Sequence, residues 1–442
     1  MLSLTEQRTE QADTPRWRNW SGDVQCQPRQ RLAPTTEAEI QALVQSCRAQ
    51  GRTLRVVGSG HSFTPLVATD DLLLSLDNLQ GLVAVNRDRQ EVTVWAGTKL
   101  RMLGRLLFEQ GYAQENLGDI DAQSIAGAIS TGTHGSGLQF GSLSTQVTGL
   151  RLITGTGELI DCSMESNPEV FQAARLSLGC LGIITQVTLK VLPAYKLHYQ
   201  SRRATLQQCL QDLPEHLSRH RNFEFYWFPY SDRVQLKFMD QTDAPNRGGG
   251  ILKLANDLVL ENAAYSLLCR LARRFPALCP SVSKLSARLV SESERIGDAC
   301  SLYATHRLVR FHEMEYSIPL THFQAAIEEI RALTAQQNFA VHFPLECRFV
   351  KADDIPLSPA FGRDSAFIAV HMYQGMPYED YFRQVEAILL GYEGRPHWGK
   401  WHSCTAATLA PRYPRWGQFQ QLRKRLDPDG VFMTPYLAQL LG

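Results

Sequence analysis

The sequence lacks the features that mark nucleic-acid-binding, membrane-spanning or disulfide-rich proteins. Its 45 Lys and Arg residues balance 44 Asp and Glu residues, so the net charge of +1 creates no field that would recruit nucleic acid over the whole surface. No apolar run is long enough to span a bilayer, and there is no repeat or low-complexity tract. The ten cysteines form no CxxC pair, a pattern that suits a reducing compartment. The first twenty residues carry acidic and polar side chains where a secretory signal needs an apolar run. We therefore predict a cytoplasmic protein with a small ligand.

The length of the chain and the spacing of its apolar residues predict two domains that contain both helices and strands. A chain of 442 residues is too long for one ordinary core. Helical spacing after Thr36, a possible helix cap, is followed by a β-rich run at 54–57 and by further short strands as far as Pro193. After residue 194, an aromatic-rich strand at 223–228 and a long helical tract indicate a second domain. These patterns predict an α+β fold.

A glycine turn follows the first of these strands, at Gly58, Ser59, Gly60, His61 and Ser62. Glycine permits positive φ and a close approach to a ligand, and consecutive N–H groups can form an anion-binding nest. Alone, the turn is a weak signal for phosphate, because short glycine turns are common and this one lacks GxGxxG spacing.

A second glycine-rich segment covers residues 118–137. Five glycines and several small polar side chains in twenty residues are unusual for a strand or helix interior. Such a chain can lie flat against a planar or phosphorylated ligand, or it can be a loop between sheet layers. Composition alone leaves both interpretations open.

Together the segments resemble a known family. RVVGSGHSF at 55–63, SIAGAISTGTHGSG at 124–137 and LSLGCLGIITQVTL at 176–189 resemble the FAD-binding half of the vanillyl-alcohol-oxidase-type (PCMH-type) flavoproteins. In the same order, PLECRFV, FGRD, RPHWGK and LDPDGVF, between residues 344 and 432, resemble the sugar-1,4-lactone oxidases and alditol oxidases of that superfamily. The resemblance implies an FAD-binding domain at 1–193, completed by the tail at 420–442, and an α+β substrate or cap domain at 194–419.

The resemblance also implies the cofactor contacts. FAD is expected to be joined covalently to His61 through its 8α-methyl group, with its pyrophosphate in the surrounding nest. The alternative is a turn histidine that hydrogen-bonds only its own loop. The implied cofactor-binding residues are Gly58, Ser59, Gly60, His61, Ser62, Gly118, Asp119, Thr131, Gly132, Thr133, His134, Gly135, Ser136, Gly137, Gly182 and Ile183.

Glu346, Arg348 and Lys400 are the catalytic candidates. On a strand, the i, i+2 spacing of Glu346 and Arg348 places both side chains on one face. Spacing alone favours a solvated pair, since charged residues are mostly exposed, but in the resembled enzymes the Glu-x-Arg pair orients the substrate hydroxyl. The resemblance also places Lys400 beside the flavin pyrimidine edge, where a cation stabilises charge that develops during hydride transfer. An ordinary surface lysine is the alternative.

Two further features bear on the chemistry. The resembled alditol oxidases have a small residue and then Ser where this chain has Gly118 and Asp119, so a serine hydrogen bond is in doubt, while Gly118 leaves space for oxygen. The histidines His371, His397 and His402 match no common metal spacing, and we predict no metal site.

The predicted function is FAD-dependent oxidation of a sugar-derived hydroxyl, most simply that of an aldono-1,4-lactone, with O2 reduced to H2O2. The alternatives are an alditol oxidase, a dehydrogenase that uses another acceptor and, remotely, a flavin-binding protein without catalysis. The apolar tract at 251–279 is expected to pack against the protein; membrane-surface contact is the alternative. The sequence does not indicate an oligomeric state.

Overall fold

Two groups of sheets follow one another along the chain. The computed structural model describes residues 16–248, 265–304 and 309–442. The strands of the first group are β1 Trp17–Arg18, β2 Gln25–Cys26, β3 Gln30–Leu32, β4 Leu54–Val57, β5 Leu72–Ser75, β6 Leu82–Asn86, β7 Glu91–Trp95, β8 Tyr112–Ala113, β9 Val147–Ile153, β10 Leu159–Ser163, β11 Ile183–Lys190 and β12 Leu192–Pro193. Its helices are α1 Glu37–Gln50, α2 Leu100–Glu109, α3 Ile125–Ser130 and α4 Pro168–Ala174.

The second group is built around one large sheet. Its strands are β13 Lys196–Thr205, β14 Asn222–Trp227, β15 Arg233–Thr242, β16 Ser293–Asp298, β17 Phe311–Pro319, β18 Leu345–Val350, β19 Ser365–Tyr373 and β20 Arg395–Pro396. The helices of this part and of the C-terminal tail are α5 Leu206–Gln211, α6 Leu213–Arg219, α7 at residues 265–274, α8 Cys279–Leu289, α9 Ala299–Leu302, α10 Phe323–Gln337, α11 Glu379–Gly391, α12 Ala406–Leu409, α13 Trp416–Leu426 and α14 Pro435–Leu441.

The sequence pattern around Thr36 gives the expected helix and strand. The Thr36 side chain accepts a hydrogen bond from the Glu39 N–H and caps α1, whose Ile40, Val44 and Cys47 are buried. The β-branched run of β4 then pairs parallel with β5, in a small sheet of order β3-β5-β4. Because β4 ends at Val57, the glycine turn begins at the carboxyl end of a buried strand.

The other two main sheets are antiparallel. Five strands in the order β10-β9-β11-β7-β6 complete the first group. The second group forms an eight-stranded sheet in the order β16-β13-β15-β14-β18-β19-β17-β20. The change of sheet after residue 193 supports the predicted domain boundary, which stays a prediction.

The C-terminal tail, at LDPDGVF (426–432), contacts the first group of strands. The Leu54 N–H donates to the Val431 carbonyl at 2.8 Å, and the Asp427 carboxylate accepts from the N–H groups of Val431 and Phe432 at 2.8 and 2.9 Å. The buried Arg55 guanidinium donates to four carbonyls, those of Leu66, Leu178, Gly179 and Phe432. Strand β4, which carries the glycine turn, is thus tied to the tail.

The tract predicted to pack against the protein does so on one face only. Its first part, 251–264, lies outside the described residues. In its described part, residues 265–279, Cys269, Ala272 and Cys279 are buried, but Leu267 is 68% exposed. In the rest of α8, which follows the tract, Leu289 is 65% exposed. Within the described ranges, every helix is too short or too polar to cross a lipid bilayer.

Candidate active site

A cleft opens at the carboxyl end of β4. It holds about 1010 Å³ of open space and is lined by the glycine turn, the start of α3 and the chain at 178–184. Among the predicted cofactor residues, those that line it are Gly58, Ser59, Gly60, His61, Ser62, Thr131, Gly182 and Ile183.

The turn presents backbone donors, and an added side chain at either of its glycines would meet a close neighbour. Among the hydrogen bonds of the described residues, none engages the N–H groups of residues 58–62 as donors. Gly60 has a φ of +66°, and a Cβ at Gly58 would lie 2.3 Å from the Ser124 Oγ. Available N–H groups on a compact turn form an anion nest, so the cleft suits a phosphorylated ligand.

His61 lies where this cleft meets a second cavity, and it lines both. Its ring stacks on Trp20 with centroids 5.7 Å apart. Burial, together with the charges of Lys400 and Lys99, lowers the pKa of His61 to about 4. The imidazole is therefore neutral at physiological pH and retains a nitrogen lone pair that can act as a nucleophile.

The second cavity gathers the catalytic candidates. Glu346 and Arg348 project from β18 to the same side, as their spacing predicts, and both are buried. Lys400 reaches the cavity from the loop after β20. Other predicted residues on its wall are His61, Ser62, Gly118, Asp119, Thr131, Thr133 and His134.

Arg348 is surrounded by three carboxylates. Its Nε donates to Glu224 Oε2 at 3.0 Å, its Nη2 lies 2.8 Å from Asp119 Oδ1, and the same nitrogen contacts Glu346. Tyr226 donates its hydroxyl hydrogen to Glu346 Oε1 at 2.6 Å. Burial opposes the charged guanidinium, but the carboxylates outweigh it and raise the pKa of Arg348 well above its ordinary value. Arg348 is thus a fixed cation.

Lys400 also has a carboxylate partner. Its Nζ contacts Glu313 on β17, and His371 Nε2 lies 3.4 Å from the other Glu313 oxygen and 3.9 Å from Glu346. Burial would raise the pKa of Glu313, but Lys400 and His371 hold it well below its ordinary value. Glu313 therefore stays ionised and fixes the ammonium group at the cavity wall.

His134 and Glu315 form a further buried pair in the cavity wall. His134 Nε2 is 3.2 Å from Glu315 Oε1, and the ring of His397 is 5.7 Å from that of His134. Burial, opposed by Glu315, lowers the pKa of His397 to about 3, and its Nδ1 accepts a hydrogen bond from the Gly399 N–H at 3.1 Å.

Around the cavity, three groups of side chains bring potential metal-ligand atoms close together. Within each, the ligand atoms lie within 4.8 Å of one another, and the groups are His134, Glu315 and His397; Glu313, Glu346 and His371; and Asp119, Glu224 and Glu346. In the last two, Arg348 or Lys400 already contacts the carboxylates. That the site holds no metal stays a prediction.

Two family models match this chain. The model described as D-arabinono-1,4-lactone oxidase matches residues 187–440, and the model described as FAD binding domain matches residues 28–163. The chain belongs to the D-arabinono-1,4-lactone oxidase family. It is an FAD-dependent oxidoreductase, and the nest, the glycines without space for a Cβ and the adjoining charged cavity fit that cofactor.

Relatives of this family match over the whole chain. L-gulono-1,4-lactone dehydrogenase of Mycobacterium tuberculosis is 42% identical, over 97% of this chain and 100% of the relative. L-gulonolactone oxidase of Scyliorhinus torazame is 34% identical, over 95% and 97%. D-arabinono-1,4-lactone oxidase of Eremothecium gossypii is 29% identical, over 95% and 93%.

Solved structures show the same fold at low sequence identity. The cholesterol oxidase of Brevibacterium sterolicum has a TM-score of 0.76 at 17% identity, covering 97% of this chain and 96% of its own. A solvent-stable cholesterol oxidase has a TM-score of 0.78 at 18% identity, covering 98% and 100%. The predicted α+β, vanillyl-alcohol-oxidase-type fold is confirmed.

Four residues that the family resemblance assigned to the cofactor lie away from both cavities. Gly132 faces Leu176 and Pro359, and Gly135 faces the Leu117 carbonyl. The Ser136 hydroxyl donates to the Phe223 carbonyl, and the Gly137 N–H donates to the Phe349 carbonyl at 2.7 Å. Ser136 and Gly137 thus join the glycine-rich segment to β14 and β18 of the large sheet, and Gly132 and Gly135 pack closely against neighbouring segments.

The sequence interpretation missed several charged residues in the wall of the second cavity and behind it. Glu313 and Glu315 share the i, i+2 spacing that identified Glu346 and Arg348, and this signal was available in β17. Glu224 and Tyr226 alternate in the same way in β14. Lys237, the partner of Glu224, carries no comparable local signal.

Proposed function

We propose that this protein oxidises a secondary hydroxyl group of an aldono-1,4-lactone, with FAD as the oxidant. The relatives named for L-gulono- and D-arabinono-1,4-lactones, matched over their whole length, support the substrate class. The observation that carries the proposal is the meeting of His61, Glu346, Arg348 and Lys400 in one buried cavity. Its charged wall suits a small polyhydroxylated molecule.

The side chains of the cavity have separate roles. Arg348 donates hydrogen bonds to substrate oxygens, and Glu346, held by Tyr226 and Arg348, accepts the hydrogen bond of the reacting hydroxyl and assists removal of its proton. Lys400 supplies a fixed positive charge at the junction with the cofactor cleft. Bound FAD supplies the acceptor for the hydride that leaves the hydroxyl-bearing carbon.

We propose further that His61 carries FAD covalently. The support is its place at the junction of the two cavities and its neutral imidazole. The test is a denaturing gel viewed by flavin fluorescence in acid, with wild type beside His61→Ala. A fluorescent wild-type band that the variant lacks supports the link; a wild-type band without flavin refutes it.

Oxygen is the proposed electron acceptor, which makes H2O2 the second product. The position of Gly118 on the cavity wall supports it, because the family resemblance assigns control of oxygen access to a small residue there, whereas the relative named a dehydrogenase favours another acceptor. Peroxide detection and reduction of a dye, run side by side on one preparation, separate the two.

A substrate panel tests the activity itself. We expect aldono-1,4-lactones to reduce the flavin faster than open-chain alditols, and Glu346→Gln to slow that reduction. Faster reduction by alditols would identify an alditol oxidase, which requires the same charged residues. No reduction by any compound of either class would leave a flavin-binding protein without this catalysis.

The proposed location is the cytoplasm, in contact with anionic membrane surfaces. The ten cysteines are unpaired, as a reducing compartment would leave them.

The support for the membrane contact is the segment 265–290. Its Leu267 and Leu289 are exposed, and it contains five Lys and Arg residues and no acidic residue. Sedimentation with vesicles of anionic lipid, compared with neutral lipid and with Leu267→Ser, tests the contact. Equal recovery in the supernatant under all conditions would refute it.

A further inference from the structure

A row of alternating charges crosses three neighbouring strands of the large sheet. Lys237 on β15 lies opposite Glu224 on β14, and Glu224 lies opposite Arg348 on β18. In the next facing pair, Tyr226 lies opposite Glu346. Since cross-strand neighbours have their side chains on one face, the register itself brings Lys237 and Glu224 behind the Glu346 and Arg348 pair.

The contacts in this row are continuous. Lys237 Nζ is 3.3 Å from Glu224 Oε1, and the other oxygen of Glu224 accepts the Arg348 Nε hydrogen at 3.0 Å. Lys237 Nζ also lies 4.2 Å from the centre of the Tyr226 ring, whose hydroxyl donates to Glu346. Lys237 therefore touches Glu224 and Tyr226, and each of these two touches a residue that binds substrate in the proposed function, Arg348 and Glu346 respectively.

The local balance of charge explains why a partly buried lysine is needed here. Three carboxylates, Asp119, Glu224 and Glu346, surround the single guanidinium of Arg348. Burial, with the nearby charge of Asp119, raises the pKa of Glu224, whereas Arg348 and Lys237 oppose this rise. A buried carboxylate that loses one of its two cations binds a proton more readily.

We propose that Lys237 and Glu224 are positioning residues for Arg348: Lys237 holds Glu224 as a carboxylate, and Glu224 fixes the Arg348 Nε so that the terminal nitrogens face the cavity. The inference rests on the proposed function, because it concerns how Arg348 meets the substrate. Neither residue lines the cavity that gathers Glu346, Arg348 and Lys400.

This arrangement predicts a particular pH response. The groups that face Glu224 are Lys237, Arg348, Glu346, Asp119 and Tyr226. Removing the Lys237 charge raises the pKa of Glu224 further. As the pH falls through that pKa, Glu224 gains a proton, Arg348 loses its anionic partner and substrate binding weakens.

The test compares Lys237→Met, Lys237→Arg and Glu224→Gln with wild type, measuring kcat and KM for one aldono-1,4-lactone across the pH range. In Lys237→Met we expect KM to rise about tenfold, with a smaller change in kcat, and the rise to begin at higher pH than in wild type. Lys237→Arg keeps the charge and should show the wild-type pH profile of KM. Glu224→Gln should have a raised KM that does not change with pH through protonation of residue 224.

Controls separate the possible failures. Lys351→Met changes an exposed lysine just after β18 and leaves the profile unchanged. Thermal unfolding and flavin content are recorded for each variant; if Lys237→Met does not fold, the contrast between Lys237→Arg and Glu224→Gln decides. A pH profile of KM in Lys237→Met or Glu224→Gln that matches active wild type overturns the inference, whereas inactive wild type refutes the proposed function.

Discussion

Lys400 and Glu313 form an ion pair at the wall of the substrate cavity, with side chains only 16% and 7% exposed. The pair joins the loop after β20 to the middle of β17. Its ammonium group also lies 5.2 Å from the centre of the Phe63 ring, next to the cofactor turn. The charge is therefore held at one place before any substrate binds, and no reorganisation is needed during the reaction.

Replacing Lys400 by Met should slow flavin reduction about 10²- to 10³-fold, since a preorganised charge at a reaction centre is worth that much. The measurement is anaerobic stopped-flow reduction at saturating lactone. Lys424→Met, which changes an exposed lysine on α13, is the matched control. An unchanged rate in Lys400→Met would remove this residue from the catalytic group.

Glu315 should contribute to stability above about pH 4.5 and lose that contribution in acid. Burial would raise its pKa, but His134, His397 and Lys400 outweigh burial and lower the pKa to about 2. Because the pKa is depressed on folding, the stabilisation is complete above the unfolded value near 4.5 and disappears as the pH falls towards 2. Melting temperatures of Glu315→Gln should show a smaller loss over this range than wild type. The exposed control Glu158→Gln should behave as wild type does.

Gly118→Ala should impair reaction with oxygen more than reaction with the substrate. A Cβ at this position would lie 2.9 Å from the His134 carbonyl oxygen, so the added methyl group crowds the cavity wall. We expect slower reoxidation of the reduced flavin by O2, while a dye acceptor still supports turnover. Stopped-flow reoxidation measures the effect, and equal O2 rates in the variant and in wild type would contradict it.

Asp427→Ala should destabilise the protein by about 1–3 kcal/mol, because two buried N–H groups, those of Val431 and Phe432, lose their acceptor. Urea unfolding followed by tryptophan fluorescence gives the value. Asp429→Ala, which removes a half-exposed ion pair with Arg48, should cost no more than about 1 kcal/mol. Equal losses in the two variants would show that the turn does not depend on Asp427.

The local pattern of the sequence predicted much of the FAD-binding half. Helix α1 with its Thr36 cap, strand β4 and the turn at Gly58 follow from spacing and residue type, which act over a few residues. The further short strands expected before Pro193 include β9. Motif resemblance then added what local pattern lacks, the assignment of the turn to a flavin.

Local pattern and motif resemblance could not predict the charged partners of Arg348. Glu224 and Arg348 are 124 positions apart, and only the pairing of β14 with β18 makes them neighbours. A single sequence contains no signal for strand register across such a distance. The spacing of Glu313 to Glu315 was visible in the sequence, but the pairing of Glu313 with Lys400 was not, because Lys400 belongs to a loop whose path depends on the finished sheet.

Arg55 gives the protein an order of assembly. Its guanidinium is satisfied only when carbonyls from residues 66, 178, 179 and 432 surround it, and strand β4 also bonds to Val431. During synthesis the ribosome therefore releases a flavin-binding half with a buried cation that still lacks one of its acceptors. We therefore expect that half to reach its native state only after residue 432 has emerged, and the cofactor to bind to the whole chain and not to a nascent domain.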